Sequence, residues 1–168
     1  GHPARKWLHS LAENGIGVWQ FLPLAPTDST GSPYSSPSSF ALNPWFLDVS
    51  DLEKDDFLTN KSSKYIQNFE SSDEKVDFQL ANLKVKRLSS CLVEEWERQD
   101  LKQKIEFEGW CEKQFWLNDH SMFMELRNQN NNLPWWEWSE KLAIHDQAEL
   151  SKWKNDNQKK LLGHNLLQ

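Results

Sequence analysis

The sequence lacks several features that mark particular classes of protein. Its 168 residues include two cysteines, too few for a disulfide framework or a cysteine-rich zinc site. No apolar run approaches the roughly 18 residues of a membrane span, and no charged-then-apolar leader is present. The net charge is -6 and Lys and Arg form no cluster, which argues against nucleic acid. These absences favour a reduced, cytoplasmic protein with an uncharged partner, no nucleic acid and no membrane.

Motifs for the common catalytic sites are also missing. The sequence has no glycine-rich phosphate loop and no nucleophile-elbow serine. His9, His120 and His145 do not have metal-ligand spacing, so surface or capping roles are favoured over a metal site. The acidic residues lie in polar stretches typical of solvated helix faces, and we predict that none is catalytic: Asp55, Asp56, Glu94, Glu95, Glu106, Glu108 and Glu137.

Tryptophan, by contrast, is abundant, with ten residues in the chain. Indoles bury a large apolar area, so helix contacts in a core account for many of them. An exposed indole can instead stack on the apolar face of a sugar ring. Composition leaves both interpretations open.

The central pattern is an apolar stretch followed by a long polar loop. Residues 17–24 are rich in aromatic and aliphatic side chains, with little alternation between apolar and polar residues. This pattern predicts a parallel strand buried on both faces. An amphipathic helix is predicted before it, over residues 3–14, with Gly15 as its C-terminal cap. Helix and strand together form half of a β/α unit. The loop at residues 25–44, rich in Ser and Pro, would then leave the carboxyl end of the strand, where sites in such folds lie.

Helical patterns dominate the rest of the chain. A capping box, Ser50 with Glu53, predicts a short helix. A polar connection follows over residues 59–73, with one helical turn around Tyr65 and Ile66. Apolar spacing of three and four predicts helices over residues 76–96, 101–116 and 119–128. Asn118 or Asp119 is placed to cap the third of these helices. A turn follows at residues 128–134, and Asp146 is placed to cap a last helix.

Three polar side chains of the loop are the candidate binding residues: Ser32, Tyr34 and Asn43. A Ser/Pro-rich stretch is often only a flexible linker. Here Phe40 and Trp45 supply apolar contacts beside it, and a buried strand is predicted before it. A hydroxyl, a phenol and an amide suit a sugar, which offers hydroxyls to bond and a ring face to stack on. For Asn43, a structural role in the loop is an equal alternative.

The same region resembles a known family. The segments WQFLPLAPT (19–27), GSPYSS (31–36), SSFA (38–41) and NP (43–44) resemble the amylomaltases, the 4-α-glucanotransferases or disproportionating enzymes of the glycoside hydrolases. VDF (76–78), FWLNDH (115–120) and the tryptophans after Pro134 extend the likeness. The sequence departs from the family pattern at Ala25, Asp28, Ser29, Pro37 and Leu42. At Ser29 many members have an aromatic residue, which this sequence lacks.

The resemblance implies a fold and a domain plan. The fold class is α/β: the chain would be part of a (β/α)8 TIM barrel, with an early helix and strand and a mostly α-helical insertion. Residues 1–49 would form the early β/α unit with the substrate loop 25–44, residues 50–145 the helical insertion, and residues 146–168 a helix leading back to the barrel. Because 168 residues are fewer than the 200 or more of a complete barrel, we expect a fragment.

The resemblance also implies an activity. Amylomaltases transfer α-1,4-glucan segments between malto-oligosaccharides by a retaining double displacement, without a metal or organic cofactor. Ser32 and Tyr34 would lie in the glucan-binding cleft, and the catalytic carboxylates are expected beyond Gln168. The alternative is a non-catalytic, tryptophan-rich helical module that binds carbohydrate or protein. The oligomeric state stays open.

Overall fold

The computed structural model of the chain describes residues 1–28, 30–68 and 75–168, which form two compact units. Unit 1 covers Gly1–Trp96 and unit 2 covers Glu97–Gln168. The helices of unit 1 are α1 His2–Glu13, α2 Val49–Lys54, α3 Asn60–Gln67 and α4 Phe78–Trp96. Those of unit 2 are α5 Leu101–Lys113, α6 Leu117–Gln129, α7 Glu140–Ala143, α8 Gln147–Asp156 and α9 Gln158–Leu166. Short 3-10 turns form at Pro33–Ser35, Pro44–Phe46 and Trp135–Glu137.

The first helix forms as predicted. Pro3 lies in its first turn, where a missing N–H costs nothing. Gly15 follows the helix with φ at 73°, a left-handed conformation that glycine adopts without strain. Arg5 of α1 donates two hydrogen bonds, of 2.8 and 2.7 Å, to the carboxylate of Asp51 in α2. This forked ion pair links the first helix to the second.

The predicted buried strand at residues 17–24 is wrong. These residues have no regular secondary structure, and no β-ladder forms anywhere in the part of the chain that the structure describes. Their apolar side chains are largely exposed, with Val18 at 86% and Leu22 at 59%. A strand needs neighbours whose N–H and C=O groups complete its ladder. The described residues supply no such neighbour, so the apolar pattern alone does not produce a strand here.

Helices α2, α3 and α4 pack around an apolar centre in unit 1, which includes Val49, Leu58, Ile66, Leu88 and Leu92. The predicted capping box is not used, because Asp48 caps α2 by accepting from the Ser50 N–H at 2.9 Å. Glu95, buried on α4, accepts hydrogen bonds from the Thr59 N–H and hydroxyl, both at 2.7 Å, and from the Ser62 hydroxyl. It thereby holds the N-terminus of α3 against α4. The helical turn predicted around Tyr65 and Ile66 forms as part of α3, which is longer than predicted, and residues 69–74 of the predicted connection lie outside the described residues.

Most of the helices predicted for unit 2 form, but they begin or end at other residues than predicted. Asn131 and Asn132 have positive φ, of 54° and 61°, and form the predicted turn after α6. The cap at Asp146 is also confirmed, since its carboxylate accepts from the Glu149 N–H at 2.8 Å. However, α6 begins at Leu117 without a side-chain cap from Asn118 or Asp119. The last predicted helix is two helices, α8 and α9, separated at Asn157.

A buried carboxylate links α6 to α9 within unit 2. Glu125 lies 2.9 Å from the Lys160 ammonium and 3.1 Å from the His164 ring, and it accepts a 3.0 Å hydrogen bond from Gln129. Burial by itself would raise the pKa of Glu125. The hydrogen bonds from His164, Lys160 and Gln129 outweigh this and lower the pKa from 4.5 to about 2. The folded state therefore strongly favours the ionised form.

Glu125→Gln should destabilise the protein at neutral pH and make it less sensitive to acid. The folded pKa lies below the unfolded one, so the stabilisation is complete above pH 4.5 and is lost as the pH falls towards 2. A shift from 4.5 to about 2 corresponds to at most about 3 kcal/mol. Urea denaturation should show a large loss in the variant at pH 7 and about half that loss at pH 3.

Glu106→Gln is the matched control for this prediction. Glu106 is exposed and pairs with Lys102 at 3.8 Å within α5. Exposed pairs of this kind contribute little, so the control should unfold like the wild type at both pH values. An equal loss at pH 7 and pH 3 for Glu125→Gln would contradict the role of its charge.

The predicted domain limits concern a complete barrel and stay a prediction. The boundary between the two units falls within the predicted helical insertion, between residues 96 and 97. No helix formed by the described residues is long and apolar enough to cross a membrane.

Candidate functional site

The candidate site is the loop at residues 25–44, which lies within unit 1. Its first part is a tight turn organised by Asp28. The Asp28 carboxylate accepts hydrogen bonds from the Thr30 hydroxyl at 2.7 Å, the Thr30 N–H at 2.8 Å and the Ser32 N–H at 2.9 Å. The Asp28 N–H donates to the Ser32 carbonyl at 3.1 Å. These bonds, led by that of the Thr30 hydroxyl, lower the pKa of Asp28 below its ordinary value.

Asp28 was not among the predicted site residues, although the sequence carries a signal for it. Asp is favoured at the first position of a β-turn and Gly at the fourth, which is the arrangement of Asp28 and Gly31. The Gly31 N–H donates to the Asp28 carbonyl at 3.1 Å and closes this turn. Asp28, one of the residues that depart from the family pattern, therefore shapes the turn.

Gly31 is required by both its conformation and its surroundings. Its φ is 84°, in the left-handed region. A Cβ atom at this position would lie 2.5 Å from Cζ of Phe78, closer than a real side chain permits. The turn thus packs directly against the ring of the first residue of α4. Phe78 was not predicted to contribute to the loop, and its distance along the chain leaves no local signal for it.

Ser32 and Tyr34 share the next turn. Ser32 is the N-cap of the 3-10 turn Pro33–Ser35, and its hydroxyl oxygen accepts from the Tyr34 N–H at 3.3 Å. Pro33 restricts the backbone between them. The Tyr34 side chain is 75% exposed, so its ring and hydroxyl are accessible on a turn with a fixed backbone.

Asn43 occupies a different environment at the other end of the loop. It is buried, and its side-chain oxygen accepts from the Trp45 N–H at 3.0 Å, which caps the turn Pro44–Phe46. Its own N–H donates to the Leu24 carbonyl at 2.7 Å. Asn43 therefore joins the two ends of the loop, whereas in its middle Ser32 is half-buried and Tyr34 is exposed.

Helix α4 holds the residues that follow the loop. The Trp45 ring stacks on Phe78 with centroids 5.3 Å apart, and its indole N–H donates to Asn82 at 3.1 Å. Lys84 donates to the carbonyl of Leu47 at 2.8 Å, and burial lowers the pKa of its ammonium. Phe78 thus touches both Gly31 and Trp45, so one ring restrains the loop at two points.

Comparison with known proteins identifies the family. The family described as 4-alpha-glucanotransferase matches residues 1–168. The chain belongs to the 4-alpha-glucanotransferase family. The resemblance deduced from the loop motif is therefore confirmed.

Named relatives of the same kind align over most of the chain. A 4-alpha-glucanotransferase of Synechocystis is 29% identical over 100% of this chain and 33% of the relative. The 4-alpha-glucanotransferase of Clostridium butyricum is 30% identical, and the match covers 93% of this chain and 31% of the relative. That of Thermus thermophilus is 30% identical, and the match covers 92% of this chain and 30% of the relative. The chain thus spans about a third of the length of these 4-alpha-glucanotransferases.

A solved structure has the same fold over this length. The amylomaltase from Streptococcus agalactiae, in complex with acarbose, superposes with a TM-score of 0.87 and 23% sequence identity. The match covers 100% of this chain and 34% of that amylomaltase.

A retaining catalytic pair needs carboxyl groups about 5 to 5.5 Å apart in a shared cleft, and we predict that the acidic residues of this chain supply neither of them. Most of the acidic residues considered above are exposed, and Glu95 is engaged by Thr59 and Ser62. Within residues 1–28, 30–68 and 75–168, no three His, Cys, Asp or Glu side chains come together as a metal site would require.

Proposed function

We propose that the full-length protein containing this chain is a 4-α-glucanotransferase that transfers α-1,4-glucan segments between malto-oligosaccharides. The observation that carries the proposal is the family match, which covers residues 1–168 and so includes the Ser-Pro-Tyr turn. The relatives' names support the same reaction class.

The proposed reaction is a retaining double displacement. A carboxylate attacks the anomeric carbon of the donor glucan and the glycosidic bond breaks, while a carboxylic acid protonates the departing oxygen. The hydroxyl of an acceptor sugar then attacks the covalent glycosyl-enzyme intermediate and returns its proton to the second carboxyl group. Water is thereby replaced as the acceptor. Both carboxyl groups are expected on residues beyond Gln168, and the reaction uses no metal or organic cofactor.

The proposed role of this chain is to bind the glucan. Tyr34 stacks on or hydrogen-bonds a glucose unit, and the Ser32 hydroxyl contacts the sugar beside it. Two observations support this role: Tyr34 is exposed, and the Asp28 turn and the Ser32 cap fix the backbone below it. Asn43 acts in the same site by joining the ends of the loop, since its side chain is buried against Trp45.

The proposal includes the wider plan of the protein. Residues 1–49 belong to the first part of a (β/α)8 barrel, residues 50–145 to a helical insertion and residues 146–168 to a helix returning to the barrel. The exposed apolar side chains of residues 16–24 support this plan, because barrel strands on either side would cover them. A cytoplasmic location is also part of the proposal, and the free thiols of Cys91 and Cys111 support a reducing compartment.

The test is maltotriose disproportionation by the purified full-length protein. We expect glucose together with malto-oligosaccharides longer than maltotriose, resolved by chromatography. Residues 1–168 alone should give no products, because they lack the proposed carboxyl groups. An unchanged length distribution with the full-length protein would instead indicate a non-catalytic carbohydrate-binding or protein-interaction module. Turnover by residues 1–168 would contradict the placement of the carboxyl groups.

A further inference from the structure

Lys84 of α4 reaches the backbone at the end of the candidate loop. Its ammonium donates to the Leu47 carbonyl at 2.8 Å and to the Trp45 carbonyl at 3.5 Å. These two carbonyls belong to the 3-10 turn Pro44–Phe46 and to the residue that follows it. Both contacts lie within unit 1, so they do not depend on the rest of the full-length protein. Lys84 therefore ties α4 to the turn in which the loop ends.

Packing alone does not explain a lysine at this position. Lysine is usually exposed, because its ammonium is strongly hydrated, but the side chain of Lys84 is half-buried. Burial lowers the pKa of the Lys84 ammonium, and the negative charge of Asp48 opposes that shift. A methionine of similar length would fill the same space without the cost of desolvating a charge. The ammonium, unlike a methionine, can hold backbone carbonyls in place.

The turn that Lys84 holds also joins the two ends of the loop. Asn43 caps this turn, since its side-chain oxygen accepts from the Trp45 N–H at 3.0 Å. The Asn43 N–H donates to the Leu24 carbonyl at 2.7 Å, at the start of the loop. Lys84 binds the opposite end of the same turn, at Leu47. A shift of the turn would therefore move the point at which both ends of the loop meet.

A second series of contacts joins the turn to the middle of the loop. The Trp45 ring stacks on Phe78 with centroids 5.3 Å apart, and the Phe78 ring packs against Gly31. Gly31 directly precedes Ser32, whose hydroxyl oxygen accepts from the Tyr34 N–H. Packed side chains and hydrogen bonds of this kind transmit displacements between distant positions. Movement of Trp45 would therefore be felt at the proposed glucan contacts.

We propose that Lys84 is a positioning residue of the glucan site: by fixing two backbone carbonyls, it holds loop 25–44 in the conformation that binds glucan. The inference rests on the proposed function for its choice of ligand. Lys84 does not touch the sugar but acts through Tyr34. Its loss should weaken substrate binding and leave the chemical step unchanged, since the reacting carboxyl groups lie elsewhere in the protein.

The test compares three substitutions of Lys84 in the full-length protein. Lys84→Met keeps the length but removes the donor, and it should raise the KM for maltotriose about three- to tenfold, with kcat within about twofold of the wild type. Lys84→Arg keeps a cationic donor, and its KM should return to within about twofold of the wild type. Lys84→Gln keeps a neutral donor on a shorter chain and should be intermediate. It decides the outcome if Lys84→Met does not fold.

Two controls separate positioning from a structural role. Ile66→Val trims a buried side chain of α3 and should lower the melting temperature without changing the KM. In the Tyr34→Ala background the loop contact is already lost, so Lys84→Met should change kcat/KM by less than about twofold. An equal effect of Lys84→Met in both backgrounds would show that Lys84 does not act through Tyr34, and it would overturn the proposal.

The outcomes also separate this inference from the proposed function. A wild-type KM in Lys84→Met and Lys84→Gln, or a loss confined to kcat, would overturn the positioning role. If the wild type does not disproportionate maltotriose, the proposed function fails, and calorimetric titration with maltotriose replaces the KM. A Kd about three- to tenfold higher in Lys84→Met would then still support the positioning role. If the wild type does not bind maltotriose either, both proposals fail.

Discussion

Gly31→Ala should destabilise the protein by about 2 to 5 kcal/mol and lower its glucan-transfer activity. An L-residue held at the φ of 84° costs about 1 to 2 kcal/mol. The new Cβ would also lie 2.5 Å from Phe78 Cζ, so the ring or the turn must move, at a further cost of about 1 to 3 kcal/mol. Urea denaturation measures the loss of stability. A maltotriose assay on the full-length protein should show reduced kcat/KM, because the displaced turn carries Ser32 and Tyr34.

Gly15→Ala is a close control for this prediction. Its φ is 73°, and nothing lies within 4 Å of a Cβ built there. It should therefore cost only the backbone contribution, about 1 kcal/mol, and leave transfer activity unchanged. Phe78→Ala should also recover part of the loss caused by Gly31→Ala, with a coupling energy of about 1 to 2 kcal/mol. Equal costs for Gly31→Ala and Gly15→Ala would show that Phe78 does not restrain the turn.

The sequence predicted those parts of the fold that local interactions determine. The helix before Gly15, the long helix ending at Trp96 and the cap at Asp146 depend on residues three or four apart, and all three form. The splitting of the last helix at Asn157 was missed. There Asn157 bonds to the Trp153 carbonyl at 2.8 Å and to Gln129 of α6 at 2.9 Å. Contacts with another helix are not visible in helical periodicity.

The strand error has the same physical origin. An apolar run at residues 17–24 records which side chains would gain from burial, but a ladder depends on neighbouring strands. The described residues provide none, and the stretch stays irregular and exposed. A correct reading of composition thus led to a wrong local structure.

The candidate site was predictable in its position but not in its construction. The Ser/Pro-rich composition and the family motif located the loop and named Ser32 and Tyr34. The sequence did not reveal that Phe78 packs against Gly31 or that Lys84 holds the Leu47 carbonyl, since both contacts join residues far apart in the chain. For Asn43, residue type left a sugar contact and a structural role equally open, and the structure adds that its side-chain oxygen caps the turn Pro44–Phe46.

Tyr34→Ala in the full-length protein should lower kcat/KM for maltotriose by about ten- to a hundredfold with the fold intact. The side chain is 75% exposed, so its removal leaves no cavity and should change stability little. Losing a stacking or hydrogen-bonding contact that is buried by substrate costs about 1 to 3 kcal/mol, which gives this range. Tyr34→Phe separates the two contributions: a small loss indicates stacking, and a loss near that of Ala indicates the hydroxyl.

Tyr65→Ala is the matched control, because Tyr65 is the other tyrosine of the chain and is also exposed, at 54%. It lies on α3, where the guanidinium of Arg87 covers its ring at 4.7 Å from the centroid and donates to its carbonyl. An exposed cation–π contact contributes about 0.5 to 1 kcal/mol to stability, so Tyr65→Ala should lower the melting temperature slightly and leave kcat/KM unchanged. We thus expect different effects from the two substitutions: Tyr34→Ala lowers kcat/KM, and Tyr65→Ala lowers stability. Equal effects on kcat/KM, with circular dichroism unchanged in both variants, would remove the loop from the glucan site and leave residues 25–44 a structural connection.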